Sequence, residues 1–160
     1  MAEGISIRGE RPPSEVEWED LLLRLELMTR ALRNALEDRD LLPVLDVLRE
    51  MVGRERRVGN WLERHAIRTS GTGGTENAAS LEDGTTWRDP APLADRFVSL
   101  RARNLAMVQR RGLDVWDWHG SFGDEDQVSS FQLLSWLQTR DVEALARLRG
   151  DGGRRGAQAC

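Results

Sequence analysis

The chain has no lysine, no tyrosine, two histidines and one cysteine, and each scarcity closes off some chemistry. Cys160 is the last residue, so no internal disulfide and no cysteine-based metal cluster can form, and a reducing cytoplasm is the expected home. Neither His65 nor His119 has a second histidine at helical spacing, which excludes a site built from two histidines on one helix face. No run approaches the roughly 20 apolar residues of a membrane span. The polar N-terminus, with Pro12 and Pro13, lacks the apolar centre of an export signal, so neither membrane contact nor secretion is expected. Arginine is the only strong base, and its interleaving with acidic residues at a net charge of −4 argues against a nucleic-acid surface, which would gather positive charge on one face.

What the chain does have is helical periodicity. Its 160 residues suit one domain with a core of its own. Residues 1–13 show no periodicity and form a lead-in. Ser14 and Glu17 have the spacing of a capping box, and Leu21, Leu25, Met28, Leu32 and Leu36 follow on one face of a helix that ends near Glu37 to Asp40. Pro43 suits a first helical turn; Val44, Leu48, Met51, Glu55, Val58 and Leu62 then recur in a heptad-like rhythm to about His65 or Ala66. The short connection predicts that these two helices are antiparallel neighbours.

Thr69 to Pro92 is a Gly/Ser/Thr/Asp/Pro-rich crossover with little to bury. Its Gly71 to Gly74 cluster lacks the strand, helix and lysine of a phosphate loop. Leu93, Phe97, Leu100 and Met107 mark a third helix that stops at Arg110-Arg111-Gly112 and carries Asn104 in its apolar face. Leu113 to Asp126 reads as an irregular connection holding Trp116, Trp118 and His119. Ser129 and Gln132 then repeat the capping-box spacing before Phe131, Leu134, Leu137, Leu145 and Leu148, with Gly150 as the stop and 150–160 as a tail. Arg140 and Asp141 interrupt that last stripe at inward-leaning positions, where a charge needs a partner. The expectation is an all-α, four-helix domain over 14–149 with a long crossover between helices 2 and 3.

Two stretches resemble the DinB/YfiT-like family of metal-binding four-helix bundles: LREMVGRE (Leu48 to Glu55), and RARNLAMVQRRGLDVWDWHGSFG taken together with SSFQLLSWLQTRDVEAL. The resemblance covers about Leu41 to Arg149. It implies a divalent metal held by one histidine of the second helix and two of the last. The matching positions here are Glu50, Arg140 and Ala144, and neither a guanidinium nor a methyl group offers a lone pair. The resemblance therefore implies a relative without the usual metal site, so no metal or other cofactor is expected. In its place Glu50 and Arg140 would form an ion pair across helices 2 and 4, with Asp141 or Asn104 completing the network.

Three functional readings follow. The first is a module that binds a small, largely apolar molecule at the end of the bundle, beneath Trp116, Trp118 and His119, with Asn104 and Arg140 also in contact; rings with one wet end suit such pockets. The second is a metal-independent enzyme using Glu50, Asp141 and His119 as acid–base groups. The third is an interaction protein that dimerises through exposed helix faces. The plainer alternatives are that Asp141 only satisfies an arginine or backbone N–H groups, that His119 is a surface or packing residue, and that Cys160 is inert.

Overall fold

Ser14 opens α1 (Glu15–Leu36) with a complete capping box: its hydroxyl accepts from the Glu17 N–H at 3.2 Å, and the Glu17 carboxylate accepts from the Ser14 N–H at 2.7 Å. The computed structural model describes residues 13–37, 44–70, 90–112, 115 and 118–150, with the backbone alone at 67–70. The lead-in, the Asp40 to Pro43 connection, most of the crossover, Trp116 and the tail beyond Gly150 lie outside the described residues.

Helix α2 (Val44–Ser70) runs past the expected end at Ala66, and α3 (Pro90–Arg111) begins inside the expected crossover. Pro90 suits that start, because proline has no N–H to leave unpaired and its fixed φ is already helical. Residues 119–129 are a β-hairpin rather than part of an irregular connection: β1 (His119–Phe122) pairs antiparallel with β2 (Glu125–Ser129), His119 opposite Ser129 and Phe122 opposite Glu125. The two-residue turn places Gly123 at φ +61° in its first central position, where a type II′ turn needs positive φ and glycine supplies it without strain. β2 then runs directly into α4 (Ser130–Gly150). Ser129, the last strand residue, caps the helix: the Gln132 N–H donates to its hydroxyl at 3.1 Å and its own N–H donates to Gln132 Oε1 at 2.9 Å. The described residues are thus mostly helical, with one small two-stranded sheet.

Each of α1 and α2 packs against both α3 and α4. Hence α1 and α2 face each other across a diagonal instead of lying side by side, which corrects the expectation drawn from their short connection. One apolar cluster gathers Trp18 to Leu25 of α1, Val58 to Leu62 of α2, Leu105 and Val108 of α3, Leu133 to Leu137 of α4, and Val115, Trp118 and Val128. A second gathers Leu32 of α1, Val44 to Met51 of α2, Leu93 and Phe97 of α3, and Ala144 and Leu148 of α4. The order of numbers through the clusters shows α1 and α4 running one way and α2 and α3 the other. Two consecutive helices that run parallel need a connection as long as themselves; α2 is roughly 40 Å long at 1.5 Å per residue, and the residues between it and α3 can span that when extended.

Candidate functional site

Between the two apolar clusters lies a layer of charge. Arg101 of α3, 1% exposed, sends Nε to Glu55 Oε1 at 3.0 Å and Nη2 to Glu55 Oε2 at 2.8 Å; Nη2 also reaches Asp141 Oδ2 at 2.6 Å, and Nη1 donates to the Leu25 carbonyl at 3.0 Å. One guanidinium therefore ties α3 to α1, α2 and α4. Asn104, one helical turn further along α3, donates Nδ2 to Glu55 Oε1 at 3.0 Å and to the Glu55 carbonyl at 3.1 Å. Gly59 makes this approach possible: a Cβ there would lie 2.6 Å from Asn104 Oδ1. The Arg101 guanidinium also sits 4.9 Å over the Phe97 ring, an added cation–π attraction.

The charges in this layer are buried and close. Burial works against the Arg101 cation, but the Glu55 and Asp141 carboxylates outweigh it and hold the guanidinium more firmly protonated than usual. Burial pushes the Asp141 carboxyl above the ordinary aspartate range, opposed by Arg101, its hydrogen bond and, more weakly, Arg54; the neighbouring Glu55 charge adds to the rise. The single guanidinium serves both carboxylates, while the rise at Asp141 comes chiefly from its burial. The contact the structure gives the Asp141 carboxylate is thus with an arginine, Arg101.

The expected pairing of Glu50 with Arg140 is not what the structure shows. Glu50 accepts from Arg147 Nη1 at 2.7 Å and Nη2 at 3.4 Å, and its Oε2 lies 3.8 Å from Arg54 Nη1; Arg140 donates to Glu143 on its own helix at 2.8 Å. The cause is angular and axial. Arg140 stands one residue, about 100° of helix rotation, from the inward Asp141, so its side chain leaves along the flank of α4. Glu50 likewise meets α4 two turns beyond Arg140. It is half exposed, and the hydrogen bond from Arg147 keeps its carboxyl below the usual range. Ala144 is plain core, 2% exposed.

Glu50, Asp141 and His119 do not converge as an acid–base set. The His119 carbonyl lies 3.0 Å from His65 Nε2, and His65 sits about 22 Å along α2 from Glu50. At that end of the molecule the hairpin closes on α2: His65 Nδ1 is 2.8 Å from the Trp61 carbonyl, its ring centroid is 4.0 Å from that of Trp61, and Trp118 stacks at 6.2 Å. Gly120 leaves room for the imidazole, since a Cβ there would lie 2.7 Å from His65 Nε2. Trp118 is buried at 5% exposure and its backbone is held by the Val115 carbonyl and the Ser130 N–H, while the His119 side chain is exposed. Trp118 is thus part of the core, and Asn104 and Arg140 are held in the contacts already described.

An open concavity lies elsewhere. A cleft of about 350 Å³ runs between the start of α1 and the end of α3, lined by Trp18, Leu22 and Leu23, by Glu15, Glu19 and Glu26, and by Gln109 and Gly112. Its lining combines apolar side chains with three carboxylates and the Gln109 amide, and includes no basic residue. Sequence reasoning missed this cleft because both its walls belong to ordinary amphipathic stripes. It also missed Arg101 and the weight of Glu55, although a glutamate in the Val44 to Leu62 stripe and an arginine four residues from both Phe97 and Leu105 were the signals. Among the described residues, no three His, Cys, Asp or Glu side chains are grouped so as to hold a metal ion. Compared with models of protein families, with curated proteins and with solved structures, the chain matches none.

Proposed function

We propose that the protein is a small-molecule-binding module of the DinB/YfiT-like four-helix type in which a buried ion network takes the place of the metal crosslink, and that its ligand is an apolar-bodied organic cation held in the α1/α3 cleft. The observation that carries this reading is the cleft itself. Its volume of about 350 Å³ falls in the range of small-ligand pockets. Trp18, Leu22 and Leu23 give apolar surface, and three glutamates with no basic residue among the lining side chains select positive charge. The long connection between the parallel α2 and α3 supports the family assignment. A cytoplasmic, metal-independent protein acting on neither nucleic acid nor membrane is consistent with the acidic charge balance, and no helix among the described residues is long and apolar enough to cross a membrane.

The test is a thermal-shift and calorimetric titration of the full chain with benzyltrimethylammonium, using benzoate as the matched anion. A ligand that binds only the native state raises the melting temperature by mass action. Saturable stabilisation by the cation, absent with benzoate and lost in Glu19→Gln/Glu26→Gln, is the expected result. Equal responses to both ions, or a response that survives the double substitution, would remove the cleft as the site.

A second reading, self-association, has its own observation: Val16, Leu23 and Leu27 of α1 are 74%, 53% and 45% exposed and recur at coiled-coil-like spacing. Sedimentation equilibrium distinguishes the two, because a monomer at all accessible concentrations leaves only the ligand-binding reading.

A further inference from the structure

Arg54 is the one charged side chain of the described residues that is buried without hydrogen bonds to match. The residue is 9% exposed, and its Nε and Nη2, each essentially shielded from solvent, have no hydrogen-bond partner in the protein. Its third nitrogen, Nη1, makes only the 3.8 Å approach to Glu50 Oε2. Nε and Nη2 share one edge of a guanidinium and form the fork that takes two oxygens side-on. The same molecule shows that fork filled: Arg101 presents the same two atoms to the Glu55 carboxylate at 3.0 and 2.8 Å.

We infer that the Arg54 fork, at the seam of α2 and α4, is a binding site for an oxyanion, the carboxylate or phosphate group of a small molecule, taken side-on as Arg101 takes Glu55. The surroundings carry charges of both signs. Arg140 and Arg147 are close enough to repel the Arg54 charge, while Asp141 and Glu50 attract it, and burial outweighs that attraction so that Arg54 holds its proton less firmly than an ordinary arginine. An added anion would fill the fork and relieve the repulsion among the three arginines, against the opposing charges of Asp141 and Glu50. Glu50 and its partner Arg147 lie beside Arg54 near the surface. Both partners are about half exposed, and exposed pairs of this kind contribute little and open readily. This site is separate from the α1/α3 cleft, since no residue of α2 or α4 lines that cleft.

The experiment is a melting series of the full chain at neutral pH with inorganic phosphate in one arm and acetate in the other, ionic strength held constant with sodium chloride, repeated on Arg54→Met and Arg54→Lys. Saturable stabilisation by phosphate assigns a phosphate-bearing ligand, and saturable stabilisation by acetate assigns a carboxylate. Arg54→Met should fold and lose the response. Arg54→Lys keeps the charge but loses the fork, and should weaken binding roughly tenfold or more, the equivalent of one charge-assisted hydrogen bond. If neither anion stabilises the wild-type protein beyond the chloride control, or if Arg54→Met responds as the wild type does, the site does not exist.

Discussion

The Arg101 guanidinium lies side-on against the Glu55 carboxylate, Nε to Oε1 at 3.0 Å and Nη2 to Oε2 at 2.8 Å, with 1% and 0% of the two side chains exposed. This pair, extended by Asp141, Asn104 and the Leu25 carbonyl, divides the apolar core into two clusters and joins all four helices at one level. Such a layer need not make the fold more stable than apolar residues would, because desolvation offsets the attraction. It does fix the register of the helices, since sliding any one of them strands a charge.

Replacing Asp141 tests how the layer shares its charge. Its carboxyl is raised, chiefly by burial, so the folded protein holds that proton more tightly than the unfolded chain does. The stability this contributes is complete below the ordinary aspartate value near pH 4 and is lost as pH rises through the raised value. Asp141→Asn should therefore be tolerated at neutral pH, and the difference in stability between the two proteins should shift in favour of the variant as pH climbs from about 4. Urea unfolding across pH measures this; parallel pH curves for the two proteins would contradict it.

The glycines of α2 give a paired prediction. Alanine normally stabilises a helix interior over glycine by about 1 kcal/mol. At Gly53, where a Cβ meets nothing within 4 Å, Gly53→Ala should show that gain. At Gly59 the Cβ would press on Asn104 Oδ1, and Asn104 cannot yield without releasing Glu55, so Gly59→Ala should instead cost about 1–3 kcal/mol. Chemical denaturation of both variants settles the contrast, and a gain at Gly59 would show the α2/α3 contact to be looser than described.

Metal content is the third expectation. With Ala144 in the core and Arg140 bonded to Glu143, two of the three positions that the family resemblance assigns to ligands offer no donor. Elemental analysis of the purified protein should find no stoichiometric zinc, nickel or iron. One tightly held ion per chain, retained against mild chelation, would contradict this.

Much of the fold was legible because its signals are local. Both capping boxes, at Ser14/Glu17 and Ser129/Gln132, lie where three-residue spacing places them, and the leucine stripes identify the buried faces. The hairpin was hidden because strands of four and five residues carry too little alternation to separate from a loop, and only Gly123 marks its turn. The polar layer was half visible. Asn104, Asp141 and Glu55 all stand in apolar stripes, so their inward direction could be read, but a stripe does not say which helix it faces or how far that helix slides along its axis. The Glu50–Arg140 pairing came from the family resemblance, and the structure has Glu50–Arg147 and Glu55–Arg101 in its place. The diagonal relation of α1 and α2 was likewise out of reach, because it depends on where α3 and α4 insert.

The most direct measurement of the account is a double-mutant cycle on Arg101 and Glu55 by chemical denaturation at neutral pH. Arg101→Met leaves two buried carboxylates without their cation and should cost about 3–5 kcal/mol, and Glu55→Leu should cost a comparable amount by leaving Arg101 and Asn104 short of acceptors. The double variant should be more stable than the sum of the single losses predicts by at least about 1–3 kcal/mol. Losses that simply add would mean that the two side chains do not share their charge, and that the four helices are not organised around this pair.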